Sequence, residues 1–99
     1  TERNMALHFL AAVLTLLVAA LLRVTLLELA CLTLTIAVVL VCELTNTALE
    51  ILCDIVCRDL EPRIRRVKDV AAGAVLVSAI TAVIVGILVL WPRVISGTR

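Results

Sequence analysis

Three long apolar runs dominate the chain, separated by two short polar segments. The first, Ala6 to Leu22, carries His8 as its only ionisable group and is closed by Arg23. Arg23 to Glu28 makes a brief polar connection before apolar sequence resumes. No small-residue cleavage site lies between, so this run reads as a membrane span and not as a signal-peptide core. The second run starts near Leu26 and stays uncharged from Leu29 through Cys42. It then continues with helical character through Glu43, Asn46, Glu50 and Asp54. No Gly or Pro occurs from position 24 to 61, which predicts one helix of about thirty residues, ~45 Å long. That exceeds the ~30 Å hydrocarbon core, so its acidic C-terminal part is expected to emerge among the headgroups. Pro62 is expected to interrupt a basic loop. The third run, Val70 to Trp91, has no charge at all. Trp91-Pro92-Arg93 is expected to close it with an interfacial aromatic, a helix terminator and a cation. Ala71 to Ala74, with Ser78, Thr81 and Gly86, present small side chains that allow close helix approach.

Composition settles the solvent. Of 99 residues, 64% are hydrophobic, 17% charged and 2% aromatic, and mean hydropathy is +1.23. Too few polar side chains exist to cover an aqueous surface. The expected fold class is therefore an all-α integral membrane protein with three transmembrane helices, in a single domain over 1–99. A net charge of +1 gives no field for nucleic acid. Charge placement is more telling. Arg58, Arg63, Arg65, Arg66 and Lys68 crowd between the second and third spans, so that segment and the N-terminus are expected on the cytoplasmic side and the C-terminus outside. Cys31, Cys42 and Cys53 recur every eleven residues, ~16 Å apart on a helix. No single zinc ion bridges that distance. Together with Cys57 they read as small packing residues.

Glu43, Asn46, Glu50 and Asp54 follow at intervals of three, four and four, one stripe on a helix. Carboxylates at membrane depth are costly and point to function, Glu43 most of all because it adjoins the uncharged run. Glu43 and Glu50 stand ~10 Å apart, too far to share a proton but suited to divided labour, one binding a cation and one taking a proton. Lys68 and Asp69 are expected at the start of the third helix, where backbone N–H groups favour anions. Carboxylates for magnesium, a lysine for phosphate and a desolvated base together suit phosphoryl transfer. The chain has no phosphate-binding glycine loop, since its only glycines are Gly73, Gly86 and Gly97. One alternative from another class remains at this point: a small proton-coupled transporter, which needs Glu43 alone; the resemblance described next adds a second, a catalytically inactive membrane trimer.

The segment Cys42-Glu-Leu-Thr-Asn-Thr-Ala-Leu-Glu-Ile-Leu-Cys-Asp54, followed by Val67-Lys-Asp-Val-Ala-Ala-Gly-Ala-Val-Leu76, resembles the prokaryotic diacylglycerol kinase family. The Lys-Asp-Val-Ala-Ala-Gly-Ala-Val form is closer to its undecaprenol kinase branch, and Thr1-Glu-Arg-Asn-Met resembles the opening of the family's first span. The resemblance implies a kinase that moves the γ-phosphate of Mg-ATP to the hydroxyl of a membrane lipid, undecaprenol or diacylglycerol. It implies Glu43 as general base at the lipid hydroxyl and Asn46 as an active-site amide. Glu2 and Glu50 become ligands of Mg2+ on ATP, and Lys68 and Asp69 nucleotide contacts. Asp59, Leu60 and Glu61 fill the place of a nucleotide-contacting turn, although the family usually has an aromatic residue and a histidine where this chain has Leu60 and Glu61. It further implies a homotrimer in the bacterial inner membrane, with shared active sites at the cytoplasmic face. Members of the family carry an amphipathic surface helix before the first span, which this chain is expected to lack.

The topology has a direct check. In a cysteine-free background, Asp59→Cys is expected to react with impermeant thiol reagents only from the cytoplasmic side, and Gly97→Cys only from outside.

Overall fold

The structure is a computed structural model that describes residues 2–56 and 61–96, with side chains from Asn4 onward. The described residues form three helices and no strand: α1 (Glu2–Leu21), α2 (Leu26–Val56) and α3 (Pro62–Ile95). They lie side by side in a rod measuring 54 × 19 × 18 Å. Each is long and apolar enough to cross a membrane. The all-helical, three-span expectation holds.

Each helix buries one stripe. On α1 the less exposed positions are Met5, His8, Ala12, Thr15 and Ala19, with Leu22 continuing the row just past its end. On α2 they include Leu32, Ile36, Val39, Glu43, Asn46, Glu50 and Cys53, and on α3 Ile64, Lys68, Ala71, Val75, Ser78, Ala82, Val85 and Val89. All three alternate steps of three and four, the spacing of helices that wind around one another at a shallow angle. The remaining faces carry exposed Leu, Ile and Val, for example Leu10, Leu14, Leu17 and Leu21 on α1. In water such a surface is untenable; in hydrocarbon it costs nothing. α2 is the hub, packing extensively along α3 and more lightly along α1.

Both helix connections are specified by local chemistry. Arg23 takes a left-handed conformation (φ 58°), and Val24 N–H bonds back to the Ala19 carbonyl at 3.3 Å, which stops α1 and reverses the chain. Thr25 and Glu28 then cap α2 reciprocally: Glu28 N–H donates to Thr25 Oγ1 (3.1 Å) and Thr25 N–H to Glu28 Oε1 (2.9 Å). Arg93 ties this corner to the end of α3, donating from Nε to Glu28 Oε1 (2.9 Å) and from Nη1 to the Arg23 carbonyl (3.2 Å). At the opposite end, Lys68 Nζ lies 2.8 Å from Asp54 Oδ1. These two ties fix the α2–α3 register. Stepping inward from them puts Glu43 level with Ser78, Asn46 with Val75 and Glu50 with Ala71, within one residue.

Both prolines depart from their expected roles. Pro62 does not interrupt a loop but opens α3 at its first turn, where a missing N–H is no loss. Glu61 caps that turn by accepting from Arg63 N–H at 3.2 Å. The basic segment is thus helical from Pro62 onward. Lys68 and Asp69 lie well inside α3, where their N–H groups are spent on the helix and cannot cradle an anion. Pro92 does not end α3, which continues to Ile95. One proline removes one donor. The last turn survives because Ser96 bonds to the Pro92 carbonyl through N–H (3.1 Å) and Oγ (2.7 Å), while Arg93 is anchored to Glu28. Close approach through small residues is seen at Ala71 and Ser78, both buried. A side chain added at Gly73 or Gly86 would meet nothing within 4 Å.

Ala19 is 0% exposed, whereas its neighbour Ala20 faces outward. Ala19→Leu is expected to lower unfolding free energy in mixed micelles by about 1–3 kcal/mol through overpacking. Ala20→Leu should change it by less than about 0.5 kcal/mol.

Candidate active site

The predicted acidic stripe splits in two. Glu43, Asn46 and Glu50 occupy successive positions in the packing stripe of α2, while Cys53, not Asp54, continues it. Asp54 sits one position round the helix, with its side chain 66% exposed, and pairs with Lys68. The difference follows from helical drift: steps of three, four and four leave the seam at the last one, where three is required.

Glu43 is 3% exposed. Its Oε2 lies 3.3 Å from His8 Nε2 on α1, and its Oε1 has no hydrogen-bond partner. One turn along, Asn46 Oδ1 is likewise buried without a partner, as is the adjacent Thr47 Oγ1. Opposite them, Ser78 satisfies its own hydroxyl by donating to the Val75 carbonyl at 2.8 Å. Native folds rarely leave buried oxygens unpaired. A carboxylate oxygen and an amide oxygen, adjacent on one stripe, therefore await a proton, a cation or a hydroxyl.

Depth sharpens this. From the Arg93–Glu28 tie, the rise of α2 places Glu43 about 22 Å away, Asn46 about 27 Å and Glu50 about 33 Å. With that tie at one edge of a ~30 Å hydrocarbon layer, the other edge falls between Asn46 and Glu50. Glu43 thus stands inside the apolar zone, whereas Glu50, Asp54 and Lys68 reach the polar zone. The stripe straddles the boundary.

Glu2 opens α1, and the His8–Glu43 contact sets residue 2 level with residues 49 and 50 of α2. The backbone therefore brings Glu2 and Glu50 to one height, although the Glu2 side chain is outside the described residues. Asp59, Leu60 and Cys57 also lie outside them. Glu61 is engaged locally, capping α3 and pairing with Arg63 Nε at 3.1 Å. Asp69 is exposed on α3, and Lys68 is half-buried against Asp54. Cys31, Cys42 and Cys53 are free thiols, and among the described residues no cluster of three or more His, Cys, Asp or Glu side chains forms a metal cage. Magnesium does not require one, since it is commonly held by one or two carboxylates together with phosphate oxygens and water. Glu50 at the polar end of the stripe, with Glu2 opening α1 at the same height, makes a donor set that fits that mode.

Beside the stripe, α1 and α3 stand apart and leave an apolar lateral groove floored by α2. Two adjoining hollows of about 240 and 470 Å³ compose it, sharing Ala11, Thr15, Ile36, Ala82 and Val83. His8 lines one end; Trp91 and Val94 line the other. The sequence offered no reason to single out His8 beyond its being the sole ionisable group of the first span.

Comparison with known proteins places this arrangement. The sequence profile described as prokaryotic diacylglycerol kinase matches residues 1–90. The chain belongs to that family. It is 40% identical over 97 residues to a protein of Synechocystis sp. (strain ATCC 27184 / PCC 6803 / Kazusa) named diacylglycerol kinase, covering 97% of this chain and 55% of that one. It is 36% identical over 93 residues to a protein of Bacillus subtilis (strain 168) named undecaprenol kinase, covering 94% of this chain and 76% of that one. The chain thus spans about half the length of the first relative and three-quarters of the second. No solved structure matches it. For a member of the diacylglycerol kinase family, polar atoms left unpaired in a membrane helix are a cost that function must offset.

That cost is measurable. Asn46→Leu fills the same space without a stranded oxygen and is expected to raise unfolding free energy in mixed micelles by about 1 kcal/mol. Lowered stability would mean that Asn46 has a structural partner in the folded protein.

Proposed function

We propose that the chain is the core of an ATP-dependent lipid kinase, acting on the hydroxyl of undecaprenol or diacylglycerol at the cytoplasmic face of the bacterial inner membrane. The observation that carries this reading is the straddling stripe. Its base, Glu43, lies at the depth of a lipid hydroxyl, and its polar continuation lies where a nucleotide arrives from water. A proton-coupled transporter requires Glu43 but gives no role to a polar seam continuing to Glu50.

In the proposed reaction Glu43 Oε1 accepts the proton of the lipid hydroxyl as that oxygen bonds to the γ-phosphorus of ATP. The bond from that phosphorus to the β–γ bridging oxygen breaks, and ADP leaves. Burial removes water that would otherwise compete for the phosphoryl group. Asn46, one turn toward the headgroups, lies between the base and the phosphates and orients the oxygens around it. Glu2 and Glu50, level with each other, are the residues that would hold magnesium. Magnesium, when bound with ATP, supplies charge neutralisation at the phosphate oxygens. Lys68 and Asp69 belong to the nucleotide side, with Lys68 exchanging its Asp54 partner for phosphate. Asp59, Leu60 and Glu61 would border the same nucleotide. The exposed apolar faces fit assembly as a homotrimer whose neighbouring subunits complete the site.

The test is phosphate transfer from labelled ATP to undecaprenol and to diacylglycerol in mixed micelles, with the native full-length protein. Glu43→Gln should keep nucleotide binding and lower turnover about 10²–10⁴-fold. Glu50→Gln should weaken Mg-ATP binding, with partial rescue at raised magnesium. Full activity in both variants would refute the assignment.

A further inference from the structure

His8 occupies a place that the reaction outlined above does not use. It comes from α1, which packs against α2, and it stands between the buried carboxylate and the apolar groove: Nε2 is 3.3 Å from Glu43 Oε2, and His8 lines the groove with Ala11, Ala12 and Ala79. On the α3 side, Ser78 at the level of Glu43 donates its hydroxyl to the Val75 carbonyl. Among the described residues, the imidazole is the ionisable group paired with Glu43 across a helix interface. Its effect on the carboxylate is asymmetric, since Nε2 pairs with Oε2 while Oε1 is left without a hydrogen-bond partner.

The geometry points to His8 as a positioning residue for Glu43, a role that rests on the reading of Glu43 as the base. Protonated at Nε2, the ring donates to Oε2 and holds the carboxylate plane still. Oε1 then remains the one oxygen free to take a proton from a hydroxyl whose hydrocarbon tail lies in the adjoining groove. A separation of 3.3 Å is the loose form of such a contact, and contacts of this kind tighten when substrate closes the site. Without the donor, Glu43 can rotate and present either oxygen or neither. The loss then falls on turnover and spares ATP.

The experiment measures kcat and the KM for ATP in His8→Ala, His8→Gln, His8→Leu and Glu43→Gln, using the full-length protein in mixed micelles. His8→Ala and His8→Leu should lower kcat about 10- to 100-fold, the effect of losing one hydrogen bond to a charged group, with the KM for ATP unchanged. His8→Gln places an amide donor near the position of Nε2 and should recover most of that loss. Equal damage in His8→Gln and His8→Leu overturns the positioning role, as does normal kcat in His8→Leu alongside an inactive Glu43→Gln. A fully active Glu43→Gln overturns the reading of Glu43 itself, whatever His8 does. If His8→Ala fails to fold, the comparison of His8→Gln with His8→Leu decides alone.

Discussion

A membrane interior offers no water to an unpaired polar atom, and helix packing in lipid lacks the hydrophobic drive that assembles soluble bundles. Under both constraints, each helix of this chain packs through one narrow stripe in which residues alternate at three and four. The stripe on α2 carries packing and chemistry on the same line. Leu32, Ile36 and Val39 fill it in the bilayer interior; Glu43, Asn46 and Glu50 continue it toward the surface without a change of period. A substitution in the lower half therefore disturbs helix packing and the buried polar groups together.

The bundle is closed at both ends by ion pairs and left smooth between them. Arg93 joins Glu28 and the Arg23 carbonyl at one end, and Lys68 joins Asp54 at the other. Together they set an antiparallel register that brings small residues, Ala71 and Ser78, opposite the polar half of α2. Bulky residues there would push α3 away and let lipid reach Glu43. The same small residues contribute no charge, and the ionisable group seen paired with Glu43 is His8 of α1.

Membership of the diacylglycerol kinase family and the placement of the stripe support each other from different directions. Similarity alone speaks of ancestry. With the Arg93–Glu28 tie at one edge of the hydrocarbon, helical rise and bilayer thickness put one carboxylate in the apolar zone and the next in the polar one. Phosphoryl transfer between a water-soluble donor and a membrane-bound acceptor needs that division. In the proposed reaction, the groove between α1 and α3, ending at His8, would give the acceptor's hydrocarbon a path to the same point.

The number of spans, their approximate ends and the shared inward face of Glu43, Asn46 and Glu50 were legible in the amino-acid order. Apolar run length and the cost of charge in lipid are properties of single helices, which one-dimensional pattern captures. What partners each side chain meets is a property of pairs of helices, and there the pattern misled. Asp54 belongs by spacing to the acidic stripe, yet helical drift turns it outward to Lys68. Pro62 and Pro92 read as breaks, yet one opens α3 where no donor is missed and the other is carried through by the hold of Arg93 on Glu28. Lys68 and Asp69 read as a helix start and lie inside the helix. The approach of His8 to Glu43, thirty-five residues away along the chain, depends on the register of α1 against α2. Register is decided by packing across the interface, so only the folded bundle could bring those two groups together.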